Sequence, residues 1–224
     1  LQDYDSYLAQ MQKELKQRRQ ELEAAAEQLS SERKAQALQL EKAIETELKD
    51  LNFAEVQFQI HFDKLADYTA DGVDDVEFLI SMNPGQPVKP LAEVASGGEL
   101  SRTMLAIKTV MADRDEIETL IFDEIDVGIS GRTAQKVSEK MAVIGRNHQV
   151  ICITHLAQIA AQADQHYLIE KTVDGGVTRT EIRKLSEEES IDELARILGG
   201  AEITETVRMS AREMKSMVKS NIVK

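Results

Sequence analysis

Apolar residues open the chain at alternating spacings of three and four, the pattern of a helix that buries one stripe against a partner helix. The stripe consists of Leu1, Leu8, Leu15, Leu22 and Leu29, with Tyr4, Met11 and Ala25 at most positions between them. The pattern predicts a coiled-coil arm over residues 1 to 52. If residues 3 to 50 are helical, the arm is on the order of 70 Å long at 1.5 Å per residue. A solvated single helix is the alternative, which the leucine repeat disfavours.

Two irregularities break this heptad. Arg18 takes one position of the stripe, and the spacing slips by one residue at Ser30 and Ser31. The heptad then resumes at Ala37, Ile44 and Leu51, with Leu48 between the last two. Because such a slip alters the supercoil locally, we expect the arm to be disturbed near Ser30.

From residue 55 the apolar period changes to two, as in strands with one buried face. The segments "EVQFQIHF" (55 to 62) and "VEFLISM" (76 to 82) flank the turn-forming pair Asp71 and Gly72. They predict two antiparallel strands. All three prolines follow in "NPGQPVKP" (83 to 90), which predicts a loop.

The remaining residues alternate between helical and strand patterns. Helices are predicted at 99 to 112, 132 to 144 and 155 to 163, and strands at 119 to 124 and 149 to 154. A hairpin is predicted around residues 174 to 176, followed by two helices, the first capped by Ser186 and Glu189. Strands that alternate with helices predict an α/β fold with a parallel sheet flanked by helices. We expect residues 53 to 224 to form this part of the molecule.

Composition restricts the partners of the chain. Its 40 acidic and 27 basic residues give a net charge of −13, which argues against a broad basic coat for nucleic acid. The lone cysteine, Cys152, excludes a disulfide within one chain and fits a reducing cytoplasm. No apolar run of about eighteen residues and no signal peptide is present, so we expect a soluble protein. A chain that opens on Leu1, in mid-pattern, indicates a piece of a longer polypeptide.

The segment "VASGGELSR" (94 to 102) combines a small hydroxyl and two glycines just before a predicted helix. Unpaired backbone amides at a helix start, with the positive end of its dipole, suit a phosphate group. The usual phosphate-binding loop, G-x-x-x-x-G-K-[ST], is absent from the chain. The segment therefore predicts a phosphate contact that is incomplete by itself.

Candidate chemistry follows at the ends of the two predicted parallel strands, where ligands collect on such sheets. Asp123 and Glu124 end the first strand, and a paired acid there suits Mg²⁺ binding through water and polarisation of an attacking water. His155 follows Thr154 at the end of the second. Each has an ordinary alternative, a solvated loop acid or a surface histidine. The turn "DVGISGR" (126 to 132) follows the acids, and Ser130 in it is a candidate helix cap.

The order of these segments resembles the C-terminal half of an ABC-type ATPase head. "SGGE" (96 to 99) is similar to the signature loop, "LIFDE" (120 to 124) to the Walker B strand, Asp126 to the D-loop acid and His155 to the switch histidine. The arm just upstream makes the chain look like the SMC branch. "FDEIDVGISGRTAQ" and "THLAQIAAQADQHYLIEK" resemble bacterial members that act in DNA double-strand break repair. Glu99 departs from transporters, which usually carry Gln there.

The resemblance implies a site shared between polypeptide segments. The first half of such a protein supplies the P-loop, and two heads enclose ATP and Mg²⁺ between them. The implied ATP contacts are Ser96, Gly97, Gly98, Glu99 and Asp126, the implied Mg²⁺ residue is Asp123, and the implied catalytic residues are Glu124 and His155. The implied partners are the P-loop half, a second head and DNA, in a cytoplasmic, nucleoid-associated protein. The chain alone is expected to be inactive.

A stripe of cations lies along the last predicted helix, at Arg208, Arg212, Lys215 and Lys219. It could contact DNA phosphates, and a solvated helix face is the favoured alternative. Two other functional classes remain open: the ATPase component of a membrane transporter and a structural coiled-coil dimerisation module. The arm disfavours the first, and the retained Asp123, Glu124 and His155 disfavour the second.

Overall fold

The computed structural model describes residues 2–53, 55–83, 85–94, 96–112, 114–174, 177–200 and 202–222. In chain order its elements are α1 (Gln2–Asp50), β1 (Gln57–Thr69), β2 (Gly72–Ser81), β3 (Lys89–Pro90), a 3-10 turn (Leu91–Glu93), α2 (Gly97–Met111), β4 (Thr119–Phe122), α3 (Gly131–Ile144), β5 (Gln149–Cys152), α4 (Ala157–Ala160), β6 (Tyr167–Asp174), β7 (Val177–Lys184), α5 (Glu187–Gly199) and α6 (Glu205–Ile222).

The strands form three small sheets. Strands β1, β2 and β3 are antiparallel neighbours in that order. Strands β4 and β5 are parallel, with Phe122 opposite Cys152 at their carboxyl ends. Strands β6 and β7 form an antiparallel hairpin. The predicted α/β class, with helices around a parallel pair and a separate hairpin, is confirmed.

The chain divides into two compact units. One comprises residues 1–46 and 55–93, and the other comprises residues 47–54 and 94–224. The first two strands thus group with the long helix and not with the parallel sheet. The division into an arm over 1 to 52 and a head half over 53 to 224 stays a prediction.

In the first unit, helix α1 covers the edge of the β1–β2 sheet. The backbone N–H of Phe58 donates to Glu45 Oε1 at 3.1 Å, and that of Ile60 donates to Glu41 Oε1 at 2.7 Å. Phe58 is almost fully buried and its ring lies 5.5 Å from that of Phe78. Because an edge strand presents unpaired amides, the two helix carboxylates satisfy groups that would otherwise lack a partner in the sheet.

The slip in the heptad lies where α1 first contacts the hairpin tip. Ser30 Oγ donates to Asp74 Oδ1 at 2.6 Å, and Arg33 donates to Asp74 Oδ2 at 3.1 Å and to the Asp71 carbonyl at 2.7 Å. A Cβ at Gly72 would lie 3.2 Å from Leu29 Cδ2, so Leu29 also packs on the tip. The helix remains continuous through the slip, which lies beside its contacts with the hairpin tip.

Several predicted boundaries differ from the observed ones. Strand β1 continues to Thr69, beyond the predicted end at 62, while β4 and β5 stop two residues short of their predicted ends. The helix predicted over 155 to 163 is only the single turn of α4. It begins late because the N–H of His155 donates to Asp126 and that of Leu156 donates to Thr154 Oγ1.

The core of the second unit includes a cluster between α4, α5 and α6. It comprises Ala157, Ala160, Ala161, Ile191, Leu194, Ala195 and Ala211. The predicted capping box is confirmed: Ser186 accepts from the Glu189 N–H, and Glu189 accepts from the Ser186 N–H. In the described part of the chain, no helix has the length and apolar character needed to cross a bilayer.

Candidate active site

The signature-like segment begins helix α2. Ser96 is its N-cap, and the Glu99 N–H donates to Ser96 Oγ at 3.4 Å. The Leu100 N–H donates to the Ser96 carbonyl at 3.0 Å and closes the first turn. Since the first amides of a helix lack intrahelical acceptors, the start of α2 presents donors and a positive dipole end at Gly97 and Gly98.

Both glycines pack directly on Glu124. A Cβ at Gly97 would overlap Glu124 Oε2. A Cβ at Gly98 would lie 3.0 Å from the Glu124 carbonyl oxygen and 3.1 Å from Val127 Cβ. Close approach therefore explains both glycines, but the group that approaches them here belongs to the same chain.

The acidic pair lies at the end of β4, in a tight turn. The Glu124 N–H donates to Asp123 Oδ1 at 2.8 Å, and Ser101 Oγ donates to the Asp123 carbonyl at 2.8 Å. Glu124 has φ of 58°, a left-handed conformation that costs a residue with a Cβ about 1–2 kcal/mol. Both carboxylates are exposed at this edge of the sheet. The fold thus holds Glu124 in a strained position while its side chain stays open to solvent.

Arg102 fixes the turn that follows the acids, a role that the sequence did not reveal. The side chain is buried and donates through one nitrogen to the Val127 carbonyl at 2.8 Å and the Ile125 carbonyl at 3.3 Å. Its guanidinium lies 5.4 Å from the Phe53 ring. Burial lowers the pKa of Arg102 from its very high ordinary value. An arginine inside an otherwise apolar helix face was the available signal, since such a residue needs acceptors when it is buried.

Asp126 connects the turn after β4 with the turn after β5. Its buried Oδ2 accepts from Thr154 Oγ1 at 2.6 Å and from the His155 N–H at 2.8 Å, and it lies 3.0 Å from His155 Nδ1. The His155 ring itself is largely exposed. No sequence motif marks Thr154 as part of this site, although it directly precedes His155.

The two acids and the histidine thus lie at the same edge of the β4–β5 sheet. Asp123 and Glu124 follow β4, and His155 follows β5, and the parallel pairing brings these carboxyl ends side by side. The signature-like segment reaches the same edge through its contacts with Glu124. The described contacts therefore form two linked groups, the start of α2 with the acidic pair, and Asp126 with His155.

The thiol at this edge is unreactive, and the described residues form no closed metal cage there. Burial and the nearby charges of Asp126 and Asp123 raise the pKa of Cys152 to about 12, so the thiol stays protonated and is a poor nucleophile. Among the described residues, no group of three histidine, cysteine or acidic side chains could hold a metal ion. The exposed Asp123 carboxylate nevertheless suits Mg²⁺, which commonly takes only one or two protein carboxylates beside water and phosphate.

The cationic stripe of α6 faces acids of α5. Arg208 lies 2.9 Å from Asp192, and Arg212 lies 3.1 Å from Glu188. Lys215 donates to Ser190 Oγ at 2.6 Å. The side chain of Lys219 lies outside the described residues. The two arginine side chains remain partly exposed, so the stripe lies on a solvated helix face whose arginines also pair with acids of α5.

The comparisons with known proteins agree on one group. No protein-family model matches the chain. The DNA repair protein RecN of Halalkalibacterium halodurans is 42% identical over 220 residues, which cover 96% of this chain and 39% of that protein. RecN of Bacillus subtilis is 38% identical over 229 residues, which cover 96% of this chain and 40% of that protein. The chain thus spans about two fifths of the length of the curated relatives it matches.

A solved structure agrees with the fold. The Smc head domain derived from Pyrococcus yayanosii, solved with a coiled coil and joint, matches with a TM-score of 0.50 and 24% identity, over 72% of this chain and 29% of that chain. The fold expected from the motifs is therefore confirmed. Over nearly its whole length the chain is similar in sequence to about two fifths of these RecN proteins, and this similarity supports its identification as a RecN segment.

Proposed function

We propose that this chain is the C-terminal part of an SMC-like ATPase in DNA double-strand break repair. It supplies the signature loop, the acidic pair and the switch histidine to an ATP site, and another segment supplies the P-loop. The observation that carries the proposal is the contact of Gly97 and Gly98 with Glu124, which joins a donor-rich helix start to an acidic strand end. A transporter component or a purely structural module finds no support among the RecN relatives.

Nucleotide binding follows from the start of α2. The Ser96 hydroxyl, the first amides of the helix and the helix dipole would donate to the γ-phosphate of ATP held by a second head. Glu99 stands in the same first turn. The Glu124 carboxylate lies against Gly97. A phosphate bound at Gly97 would therefore be close enough for the two negative charges to repel each other. The Glu124 side chain therefore has to turn away from Gly97 when a phosphate engages the loop, as an exposed side chain can.

The hydrolytic groups would divide the remaining work. Asp123 would hold Mg²⁺ through water, and the ion would neutralise charge on the phosphates. Glu124 would orient or deprotonate the attacking water, and His155 would contact the γ-phosphate. A general base contributes roughly 10²- to 10⁴-fold in rate. The proposed partners are the P-loop half of the same polypeptide, a second head and DNA.

Glu124→Gln in the complete protein tests the assignment. We expect the variant to bind ATP and to associate through its heads, while turnover falls by about 10²- to 10⁴-fold because the amide cannot accept a proton. Steady-state ATP hydrolysis and nucleotide binding are measured on the same preparation. Glu116→Gln is the matched control, since Glu116 is an exposed acid in the loop before β4. Turnover of Glu124→Gln at the control level would rule out the proposed role.

The isolated chain provides a second test of the shared site. It contains no P-loop sequence, so we expect no ATP hydrolysis by the purified chain. Addition of the P-loop segment, with ATP and Mg²⁺, should produce both association and turnover. Protein-dependent hydrolysis by the chain alone would contradict the shared site.

The role in DNA repair is proposed from the family. We propose a cytoplasmic, nucleoid-associated protein that acts on DNA through its complete, arm-bearing form. The ion pairs of Arg208 and Arg212 leave little uncompensated charge for phosphates. Replacing Arg208, Arg212, Lys215 and Lys219 together should therefore leave the salt dependence of DNA binding nearly unchanged. A clearly smaller salt slope would instead assign DNA contacts to the stripe.

A further inference from the structure

Asp126 is the one acid of the candidate site that is buried, with only 3% of its surface exposed. Its three short contacts all reach the Thr154–His155 turn. A carboxylate in this position is poorly suited to touch a nucleotide, because it is covered by protein and because it would repel a phosphate. The contacts point instead to an action on His155.

The geometry fixes one proton on the histidine ring. His155 Nδ1 lies 3.0 Å from Asp126 Oδ2, and an ionised carboxylate can only accept hydrogen bonds. Nδ1 therefore carries the hydrogen, and Nε2 is the nitrogen left for other partners. The exposed fraction of the ring, 69%, leaves that nitrogen accessible. Asp126 thus determines both the tautomer of His155 and the direction in which its free nitrogen points.

Thr154 supports this arrangement from the side. Its hydroxyl donates to Asp126 Oδ2 at 2.6 Å and accepts from the Leu156 N–H at 3.0 Å. The same carboxylate oxygen also accepts the His155 N–H at 2.8 Å. Because the backbone and the ring of His155 share one anchor, the histidine cannot rotate about its side chain without losing the Nδ1 contact.

We propose that Asp126 is a positioning residue for His155, which it holds with hydrogen on Nδ1 and with Nε2 directed to the γ-phosphate. This inference rests on the proposed function for its phosphate partner, but the Asp126–His155 dyad stands without it. A phosphate oxygen accepts hydrogen bonds, so Nε2 must be protonated when it contacts the phosphate. Asp126 then accepts from Nδ1–H while Nε2–H faces the phosphate, which is the orienting role that an acid behind a histidine has in other hydrolytic sites.

The tautomer can be measured in the chain without any ATPase assay. Long-range ¹H–¹⁵N correlation spectra of the ¹⁵N-histidine-labelled chain, recorded at a pH where His155 is neutral, report which ring nitrogen carries hydrogen. We expect hydrogen on Nδ1 of His155. Hydrogen predominantly on Nε2 in the unmodified chain would overturn the proposal, and no variant has to fold for that result.

Two variants sharpen the spectroscopic result. Asp126→Asn keeps an acceptor oxygen but removes the charge, so the Nδ1–H population should fall. Thr154→Ser keeps the hydroxyl and should preserve the population, which makes it the conservative control. An Nδ1–H population equal in the unmodified chain and a folded Asp126→Asn would contradict the proposal, because the carboxylate would not then be its cause.

A double-mutant cycle in the complete protein tests the action through His155. Asp126→Asn should lower kcat by about tenfold to a hundredfold, the size of effect that loss of orientation produces. In a His155→Ala background, the same change should have almost no further effect on kcat. Independent, multiplicative losses would overturn the proposal. If the complete protein hydrolyses no ATP at all, the proposed function fails while the tautomer experiment still decides the dyad.

Discussion

The turn around Glu124 and the first half of helix α1 contrast in how they complete their contacts. Around Glu124, Arg102 satisfies two backbone carbonyls, Ser101 satisfies a third, and Gly98 packs on the turn without a gap. Along the first half of α1, apolar side chains of the heptad stripe point into solvent. Leu15 is 64% exposed, and Tyr4, Leu8 and Leu22 are exposed as well.

The contrast shows which side chains have their contacts within the described part of the chain and which do not. The turn is stabilised by contacts of the chain itself, so its geometry requires no ligand or partner chain. The first half of the stripe lacks a covering surface among the described residues, and isolated helices gain little from propensity alone. Measurements of stability test this difference between the two regions.

The largest effect is expected within α1 itself. Leu48 is fully buried near the C-terminal end of α1. We expect Leu48→Ala to lower the free energy of unfolding by about 2–5 kcal/mol, because a cavity remains. Leu15→Ala is the matched control and should change that free energy by less than about 0.5 kcal/mol. Urea titrations followed by circular dichroism measure both. A cost for Leu15→Ala similar to that for Leu48→Ala would mean that the stripe is already covered in solution.

Arg102→Met tests the closed turn. Loss of the guanidinium leaves the Ile125 and Val127 carbonyls without their donor, and buried bonds to a charged group are worth about 1.5–3 kcal/mol each. We expect the free energy of unfolding to fall by about 3 kcal/mol in the same titrations. Arg114→Met, at an exposed arginine, is the control. A stability equal to that of the control would show that Arg102 does not stabilise the turn.

We expect alanine substitutions at the two signature glycines to destabilise the chain to different extents. Gly98→Ala places a Cβ against backbone and Val127, which cannot move freely, and should cost about 1–3 kcal/mol of the free energy of unfolding. Gly97→Ala meets only the end of the Glu124 side chain, which can rotate, and should cost less. In the complete protein, however, Gly97→Ala should impair ATP-driven head association. Equal destabilisation by the two changes would contradict the packing described for Glu124.

The smallest effect concerns the loop before β4. His148 lies with Nδ1 2.8 Å from the Ile117 carbonyl and Nε2 3.0 Å from the Ala112 carbonyl, and these acceptors raise its pKa. The charge of Asp115 adds to the increase, and that of Lys108 opposes it. Only the doubly protonated ring donates to both carbonyls.

The stability contributed by His148 depends on pH because its pKa differs between the folded and the unfolded chain. Because the pKa of His148 is higher in the folded protein, its stabilising contribution is complete below the unfolded value of about 6.5 and is lost as pH rises through the folded value. His148→Gln does not titrate, so the stability difference between the unmodified chain and this variant should shrink from pH 6 to pH 8.5. A difference that stays constant over this range would contradict the two-carbonyl contact. Burial lowers the pKa of His166, but this histidine is present in both proteins, so its pH-dependent contribution cancels from the difference.

Local and periodic features were determined by the sequence alone. The helical period of α1, the alternation of β1 and the capping box of Ser186 each depend on neighbours a few residues apart, and the helix, the strand and the cap are all observed. The order of the signature-like segment, the acidic pair and His155 likewise sufficed to indicate the family. Such patterns are readable because backbone geometry repeats over short distances.

The tertiary structure decided which distant side chains meet. Asp126 was expected to contact a nucleotide, and the structure buries it against Thr154 and His155. Arg102 contacts the turn after β4, and Ser30, at the one-residue slip, contacts the hairpin tip, and neither contact follows from a local pattern. These contacts join residues far apart in the sequence, so no local period encodes them. They are set by the way two turns and a helix pack, and that packing exists only in the folded chain.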